Sequence, residues 1–277
     1  MRLRRLLFGN GNVVFEAFMI LCSGIVLIPL MIMVLGSLKN SREASLFNLA
    51  LPTEWRFDNY AYVFSMGGLG QAMGNSLIFT LITVLACSLL GSLCSFVLQR
   101  RNTRVSGAIY NLFIIGMVAP LSIFPTIGLL KALQLYGTYA GVILIYIGML
   151  LPWSIFIFTS FLKGIPREMD EAAVIDGCGP YRMFFLTVLP LLQPVIAVNV
   201  VFLSMNVWND FMIPLYFLND PGMMPVTLTI FKFFGSYFRD WNYVFADLVI
   251  ASSPIVLLYL YCQKYMIAGL TAGAVKG

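Results

Sequence analysis

The residues with the most chemical potential in this chain lie in one polar stretch, Gly164–Pro194, which reads GIPREMDEAAVIDGCGPYRMFFLTVLPLLQP. Pro166 suits a first helical turn, where its missing N–H costs nothing. Glu168, Asp170 and Glu171 follow in the early turns, where the helix dipole favours carboxylates. Met169, Ala172, Ala173 and Ile175 add apolar and small side chains, and Ala172–Ala173 let another backbone or a groove wall approach closely. Gly177 is a natural stop, because glycine reaches the left-handed conformation past a helix end. Pro180 starts a second short helix, rich in Phe184 and Phe185, and Pro190 opens the next apolar stretch. The pattern is a helix–turn–helix whose chemistry is recognition or anchoring. It is either a docking element or an amphipathic hairpin resting on a membrane surface.

Covalent chemistry finds little support elsewhere. There is no histidine, which removes the commonest general base and metal ligand. Of Cys22, Cys87, Cys94, Cys178 and Cys262, four lie in apolar runs and none forms a CxxC pair, so neither a disulfide framework nor a zinc site is expected. No GxxxxGK[ST] pattern occurs, so the chain lacks a phosphate cradle and cannot hydrolyse ATP itself. An enzyme is not expected, nor a cofactor.

The elements that must carry the hairpin are apolar. The chain of 277 residues is 60% hydrophobic and 10% charged, with a mean hydropathy of +0.90, against about 25% charged in a soluble domain. So few charges cannot coat a water-facing surface, and most of this surface faces lipid. About 20 apolar residues cross a bilayer as a helix. Six stretches qualify: Val13–Gly36, Ala72–Leu98, Gly107–Leu130, Thr138–Leu162, Leu191–Leu218 and Val244–Met266. The expected fold is an all-α membrane protein, one transmembrane domain over 1–277 whose five core helices (72–266) follow an N-terminal span at 13–36. Arg2, Arg4 and Arg5 before the first stretch mimic a signal peptide, but the apolar run after Glu16 exceeds the usual 7–15 residues, so a retained helix is expected. Two outside loops are long enough to hold structure: Ser37–Gln71, with Trp55, Tyr60 and Tyr62, and Asn219–Tyr243, with Phe233, Phe234, Tyr237, Phe238 and Trp241.

The net charge of +5 does not point to nucleic acid, because the basic residues sit in short clusters at the ends of apolar stretches. With the N-terminus inside, inner segments hold Arg2, Arg4, Arg5, Arg100, Arg101, Arg104, Lys163, Arg167, Arg182, Lys264 and Lys276. Outer loops hold Lys39, Arg42, Arg56, Lys131, Lys232 and Arg239. The excess of positive charge marks the cytoplasmic side, so both termini are expected there.

The polar stretch resembles the EAA signature of ABC-importer permeases. Glu171-Ala172-Ala173, Asp176-Gly177, Phe184, Leu189-Pro190 and Pro194 fall in its register, with Cys178 where alanine is usual and Thr187 where an aliphatic residue is usual. Trp208-Asn209-Asp210-Phe211 with Pro214-Leu215, the tail Gly269–Gly277 and, more weakly, Asn75-Ser76 resemble the maltose-type carbohydrate permeases. The resemblance implies a coupling helix that docks on a separate ATPase dimer, with Glu171 bonding to the ATPase and Gly177 allowing the turn. It further implies a companion permease, an extracytoplasmic solute-binding protein, ATP bound by the partner, and residence in a bacterial inner membrane. Trp208, Asn209 and Asp210 are then substrate-pathway candidates, the indole facing a sugar ring and the two polar groups its hydroxyls; alternatively they anchor a helix at the membrane interface. Asp247, near the start of the last stretch, reads as a helix-start acid. The competing function is an ion-coupled transporter of small polar solutes, which needs buried ionisable groups and has only Asp210 and Asp247 to offer.

The charge count carries a direct test. Single cysteines at Asn102 and Asn219, in a background without the native five, should react with impermeant reagents from opposite sides of the membrane. Labelling from one side would break the six-span topology.

Overall fold

The computed structural model describes residues 13–66, 68–101, 103–233 and 240–274. Arg2, Arg4, Arg5, Asn102, Phe234, Tyr237, Phe238, Arg239 and Val275–Gly277 lie outside the described residues, and of Lys264 and Gly269–Ala274 only the backbone is described. The described residues form α1 (Val13–Gly36), α2 (Ser41–Ala44), α3 (Asp58–Met66), α4 (Leu69–Arg101), α5 (Arg104–Val118), α6 (Ile123–Ala132) and α7 (Tyr139–Leu162). After these come α8 (Glu168–Ile175), α9 (Pro180–Met183), a π turn (Phe184–Val188), α10 (Leu189–Leu191), α11 (Gln193–Asn209), α12 (Met212–Phe217), two 3-10 segments (Pro221–Met223 and Val226–Lys232) and α13 (Trp241–Ala274). No strand occurs among them. Among the described residues, four helices are long and apolar enough to cross a membrane, or up to six spans if each of two bent pairs counts as one. The protein is an all-α membrane protein, as expected.

Two of the six expected stretches are not continuous helices. Over Gly107–Leu130, α5 and α6 meet at 116°. Pro120 accounts for the break: it has no N–H to donate, and it disfavours the helical region for the residue before it. Ala119 is accordingly extended, at φ −69° and ψ 123°. Over Leu191–Leu218, α11 ends at Asn209 and Asp210 is extended, at φ −75° and ψ 132°, before α12 begins. On its N-terminal side, Pro180–Leu191 and Gln193–Asn209 are bent by 76°. Thr138 caps α7 through its hydroxyl, which accepts the Gly141 N–H at 3.1 Å.

The chain divides into two compact units, Met1–Leu69 with Thr229–Ser252, and Gly70–Leu228 with Ser253–Gly277. In the first, no part of the apolar window of Phe15–Gly36 is buried by the rest of the chain. Past it, Lys39 is 2% exposed and donates to the carbonyl and side-chain oxygens of Asn48 at 3.0 and 2.9 Å. Asn59 donates to the carbonyls of Ser37 and Lys39 and accepts from Asn242. Phe47, Trp241 and Phe245 stack edge-on and tilted beside these bonds. Asp247 lies two turns into α13 rather than in its first turn, so the helix-start reading gives way. The carboxylate is buried and accepts the Thr229 hydroxyl at 2.9 Å on one oxygen and 3.1 Å on the other.

In the second unit, α4, α7 and α11 are tied by small and polar side chains. Ser95 donates to the Ile155 carbonyl at 3.0 Å. Ser154 donates to Asn199 Oδ1 at 3.2 Å, and Asn199 donates to Ser88 at 3.3 Å. Such bonds hold helices together where lipid gives no hydrophobic drive for their association. Gly91 allows α4 to approach α7, because a Cβ there would lie 2.8 Å from Ser154 Cβ. Gly91→Val should therefore force the helices apart and lower the thermal stability of the detergent-solubilised protein. Gly148→Val, where a Cβ meets nothing within 4 Å, should change it far less. Equal melting of the two variants would show that this approach is not required.

Candidate functional site

The polar stretch builds a capped hairpin. Arg167 stands at the N-cap of α8, so Pro166 lies just before the helix rather than in its first turn; Glu168, Asp170 and Glu171 occupy that turn. At the other end, Gly177 N–H donates to the Val174 carbonyl at 3.0 Å and Cys178 N–H to the Ala173 carbonyl at 2.9 Å. This is a Schellman pair. It requires a left-handed residue, and Gly177 has φ +76°. Nothing lies within 4 Å of a Cβ built there, so the demand on this position is conformational rather than steric. Pro180 occupies the first turn of α9, and a π turn over Phe184–Val188 follows, closed by Leu189 N–H on the Phe184 carbonyl.

One face of the hairpin is rooted. Ala173 is 6% exposed and Phe184 1%, and Phe184 packs with Phe96, Phe158, Leu162, Val188 and Leu192. Burying a side chain the size of Phe184 contributes roughly 1.5–3 kcal/mol. Arg100, at the end of α4, clamps the base. Its Nε lies 2.6 Å from Asp170 Oδ2, and its terminal nitrogens donate to the Ile165 carbonyl at 3.3 and 3.4 Å. Both side chains of the pair are about six-sevenths buried, with 14% and 15% exposure. The opposite face is bare. Glu171, Ala172, Asp176 and Gly177 are exposed, and so are Met169, Val174, Ile175 and Tyr181, the last two at 85% and 80%. Leu189 is half-buried and Pro190 exposed.

A second feature sits at the break after α11. A cavity of about 500 Å³ is lined by Tyr146 and Met149 of α7, Met205, Asn206 and Asn209 of α11, Asp210, and Met212, Ile213, Tyr216 and Phe217 of α12, with Leu121, Ile123 and Leu150. Asp210 organises it. Its carboxylate accepts the Met212 N–H at 3.0 Å, the Ile213 N–H at 3.2 Å and the Tyr146 hydroxyl at 2.9 Å. The first two satisfy amides that open α12. The Thr227 hydroxyl donates to the Asp210 carbonyl at 2.9 Å. Asn75 donates to the carbonyls of Gly222 and Met224, and Ser76 accepts the Val226 N–H, so these two residues pin the loop that follows α12.

The structure brings Asn209 and Asp210 to the cavity but not Trp208, which is 4% exposed and stands on the buried face of α11 with Val201, Ser204 and Val207. The indole therefore has no face toward this space. Asn206 lines it instead. It lies three residues before Asn209, on the same helical face, so its spacing was a signal that sequence reasoning missed. Tyr146 and the Arg100–Asp170 pair had no sequence signal, since their partners are 64 and 70 residues away.

Residues 87–271 match the family described as binding-protein-dependent transport system inner membrane component. The probable starch degradation products transport system permease protein AmyC of Thermoanaerobacterium thermosulfurigenes is 33% identical over 250 residues, covering 90% of this chain and 91% of that protein. The melibiose/raffinose/stachyose import permease protein MelC of Bacillus subtilis is 33% identical over 253 residues, with the same two coverages. Among solved structures, a bacterial ABC transporter involved in the import of the acidic polysaccharide alginate has a chain that superposes with a TM-score of 0.81 at 17% identity, over 93% of this chain and 98% of that one. This last likeness is one of fold.

The clamp at the hairpin's base makes a prediction. Losing a hydrogen bond to a charged partner costs roughly 1.5–3 kcal/mol. Arg100→Ala should loosen the hairpin and speed tryptic cleavage at Arg167 and Arg182 of the detergent-solubilised protein, and Arg100→Lys, which keeps the charge but not the fork, should fall between. Unchanged cleavage in both would mean that Phe184 and its neighbours hold the hairpin alone.

Proposed function

The chain belongs to the family of binding-protein-dependent transport system inner membrane components, and we propose that it is the carbohydrate-translocating permease subunit of an ABC importer. Membership in this family makes it a transport component rather than an enzyme, and sets the ion-coupled reading aside. The relatives named for starch degradation products and for melibiose, raffinose and stachyose support a sugar or oligosaccharide as cargo. Its partners in this reading are a companion permease, an ATPase dimer that binds the ATP, and an extracytoplasmic solute-binding protein. Both termini are cytoplasmic.

The observation that carries the mechanism is the two-faced hairpin. Its buried face (Ala173, Phe184) joins it to the ends of α4 and α7, and its bare face (Glu171, Ala172, Asp176, with Val174 and Ile175 beside them) docks in a groove of the ATPase. The exposed Val174 and Ile175 beside polar groups suit a protein contact, and the ATPase covers them in the assembly. When ATP closes the ATPase dimer, the hairpin moves with it, and the Arg100–Asp170 clamp and the Phe184 packing pass that motion to the helices. The cavity beside Asp210 is this chain's part of the substrate path. Its Asn206 and Asn209 amides bind sugar hydroxyls while Asp210 holds the break between α11 and α12. ATP binding opens the path outward to receive sugar from the binding protein, and hydrolysis returns it inward.

Glu171 and Gly177 separate coupling from folding. Glu171→Ala should weaken retention of the ATPase during purification. Gly177→Val should nearly abolish transport at near-normal membrane abundance, because a β-branched residue is poorly accommodated at φ +76°. Gly177→Asn, which tolerates that conformation, should retain most activity. Transport and ATP hydrolysis measured in the same vesicles decide it: normal transport by Gly177→Val in an assembled complex would refute the coupling role.

A further inference from the structure

The pathway reading leaves open the electrical character of the cargo. A fold shared with an importer of an acidic polysaccharide does not decide it, so side chains must. Of the thirteen residues lining the cavity, none is lysine or arginine and one, Asp210, is a carboxylate. The groups bonded to that carboxylate are two backbone N–H groups and the Tyr146 hydroxyl. All are neutral donors, so they orient the charge without cancelling it. The remaining polar side chains, Asn206, Asn209 and Tyr216, are uncharged, and the rest of the wall is Met, Leu, Ile and Phe. A wall of that kind screens poorly, so a like charge brought beside Asp210 is repelled more strongly than in bulk water.

We infer that this chain's wall of the pathway takes uncharged saccharides and rejects acidic ones, with Asp210 as the charge discriminator and Asn206 and Asn209 as hydroxyl-binding groups. The inference rests on the cavity being the substrate path. Asp210 thus has two tasks, because the carboxylate that caps α12 is also the group that sets the sign of the field.

Asn206→Cys, in a background without native cysteines and in membrane vesicles of the assembled transporter, reads both the path and the sign. The introduced thiol stands four residues before Asp210 in the wall of the same cavity. Three methanethiosulfonates serve as probes: an uncharged one, a trimethylammonium-ethyl one and a sulfonatoethyl one, each normalised to its rate on a free thiol. The inference expects the cationic reagent to outpace the anionic one by about tenfold. That ratio should fall as salt rises and collapse in the Asp210→Asn background. The ratio cancels any effect of the field on the thiol itself. If Asp210→Asn does not reach the membrane, the salt series decides. Equal rates for both ions, or a faster anion, with the uncharged probe reactive, would overturn the charge selection and leave the path intact. If the uncharged probe does not react either, the cavity is not a water path and both readings fall.

Discussion

The ion pair between Arg100 and Asp170 is the contact on which the hairpin end of this molecule turns. One partner ends the long helix α4 and the other stands in the first turn of the hairpin helix α8. The guanidinium also takes the Ile165 carbonyl, an acceptor in the short link between α7 and α8. The end of α4, the α7–α8 link and the first turn of α8 therefore meet on one planar cation, whose fork reaches several acceptors at once. Without that contact, Phe184 would still bury itself, but the N-terminal arm of the hairpin would be held only by the burial of Ala173 and its covalent links to α7 and α9. A pair so enclosed specifies geometry more than it adds stability, since desolvating both charges offsets much of their attraction.

The interrupted helices obey a harsher constraint. A bilayer offers no water to broken backbone, so each interruption must bring its own partners or lie against protein. At Asp210 the carboxylate takes the first amides of α12, Thr227 takes the carbonyl, and Tyr146 takes what the carboxylate has left. In the following loop, Asn75 and Ser76 serve the carbonyls and an amide of residues 222–226. At this break and in the loop after it, polar side chains stand where regular structure stops. The cavity is one result of such a stop.

The apolar stretches of the sequence disclosed the helical fold, and the turn chemistry of Gly177 and Pro180 disclosed the hairpin, because both follow from local rules of length, capping and conformation. The positive φ at Gly177 was legible for that reason. Breaks were less so. Pro120 and Asp210 sit inside runs that satisfy any hydropathy window, and the window does not register one missing N–H or one cap. Trp208 misleads because a flat ring beside two polar groups looks like a sugar platform until the helical phase turns it inward. Asn206 was legible by the same phase, one turn earlier. Pairings such as Arg100–Asp170 and Tyr146–Asp210 exist only once α4, α7 and α11 are brought together, and no local pattern carries them.

The π turn over Phe184–Val188 fits one more residue into a helical turn than an α-helix does. Each residue of an α-helix advances the side-chain direction by about 100°. The azimuth of everything on the N-terminal side of that turn, relative to α10, thus depends on this residue count. Losing one residue would straighten the ladder and swing the bare face of the hairpin by about that angle, while every side chain on it stayed the same. Tolerance to insertion and deletion is therefore phase-limited here, in contrast to an ordinary surface loop, where added length is absorbed without consequence. The hairpin's side chains can change without turning its bare face, but its length cannot.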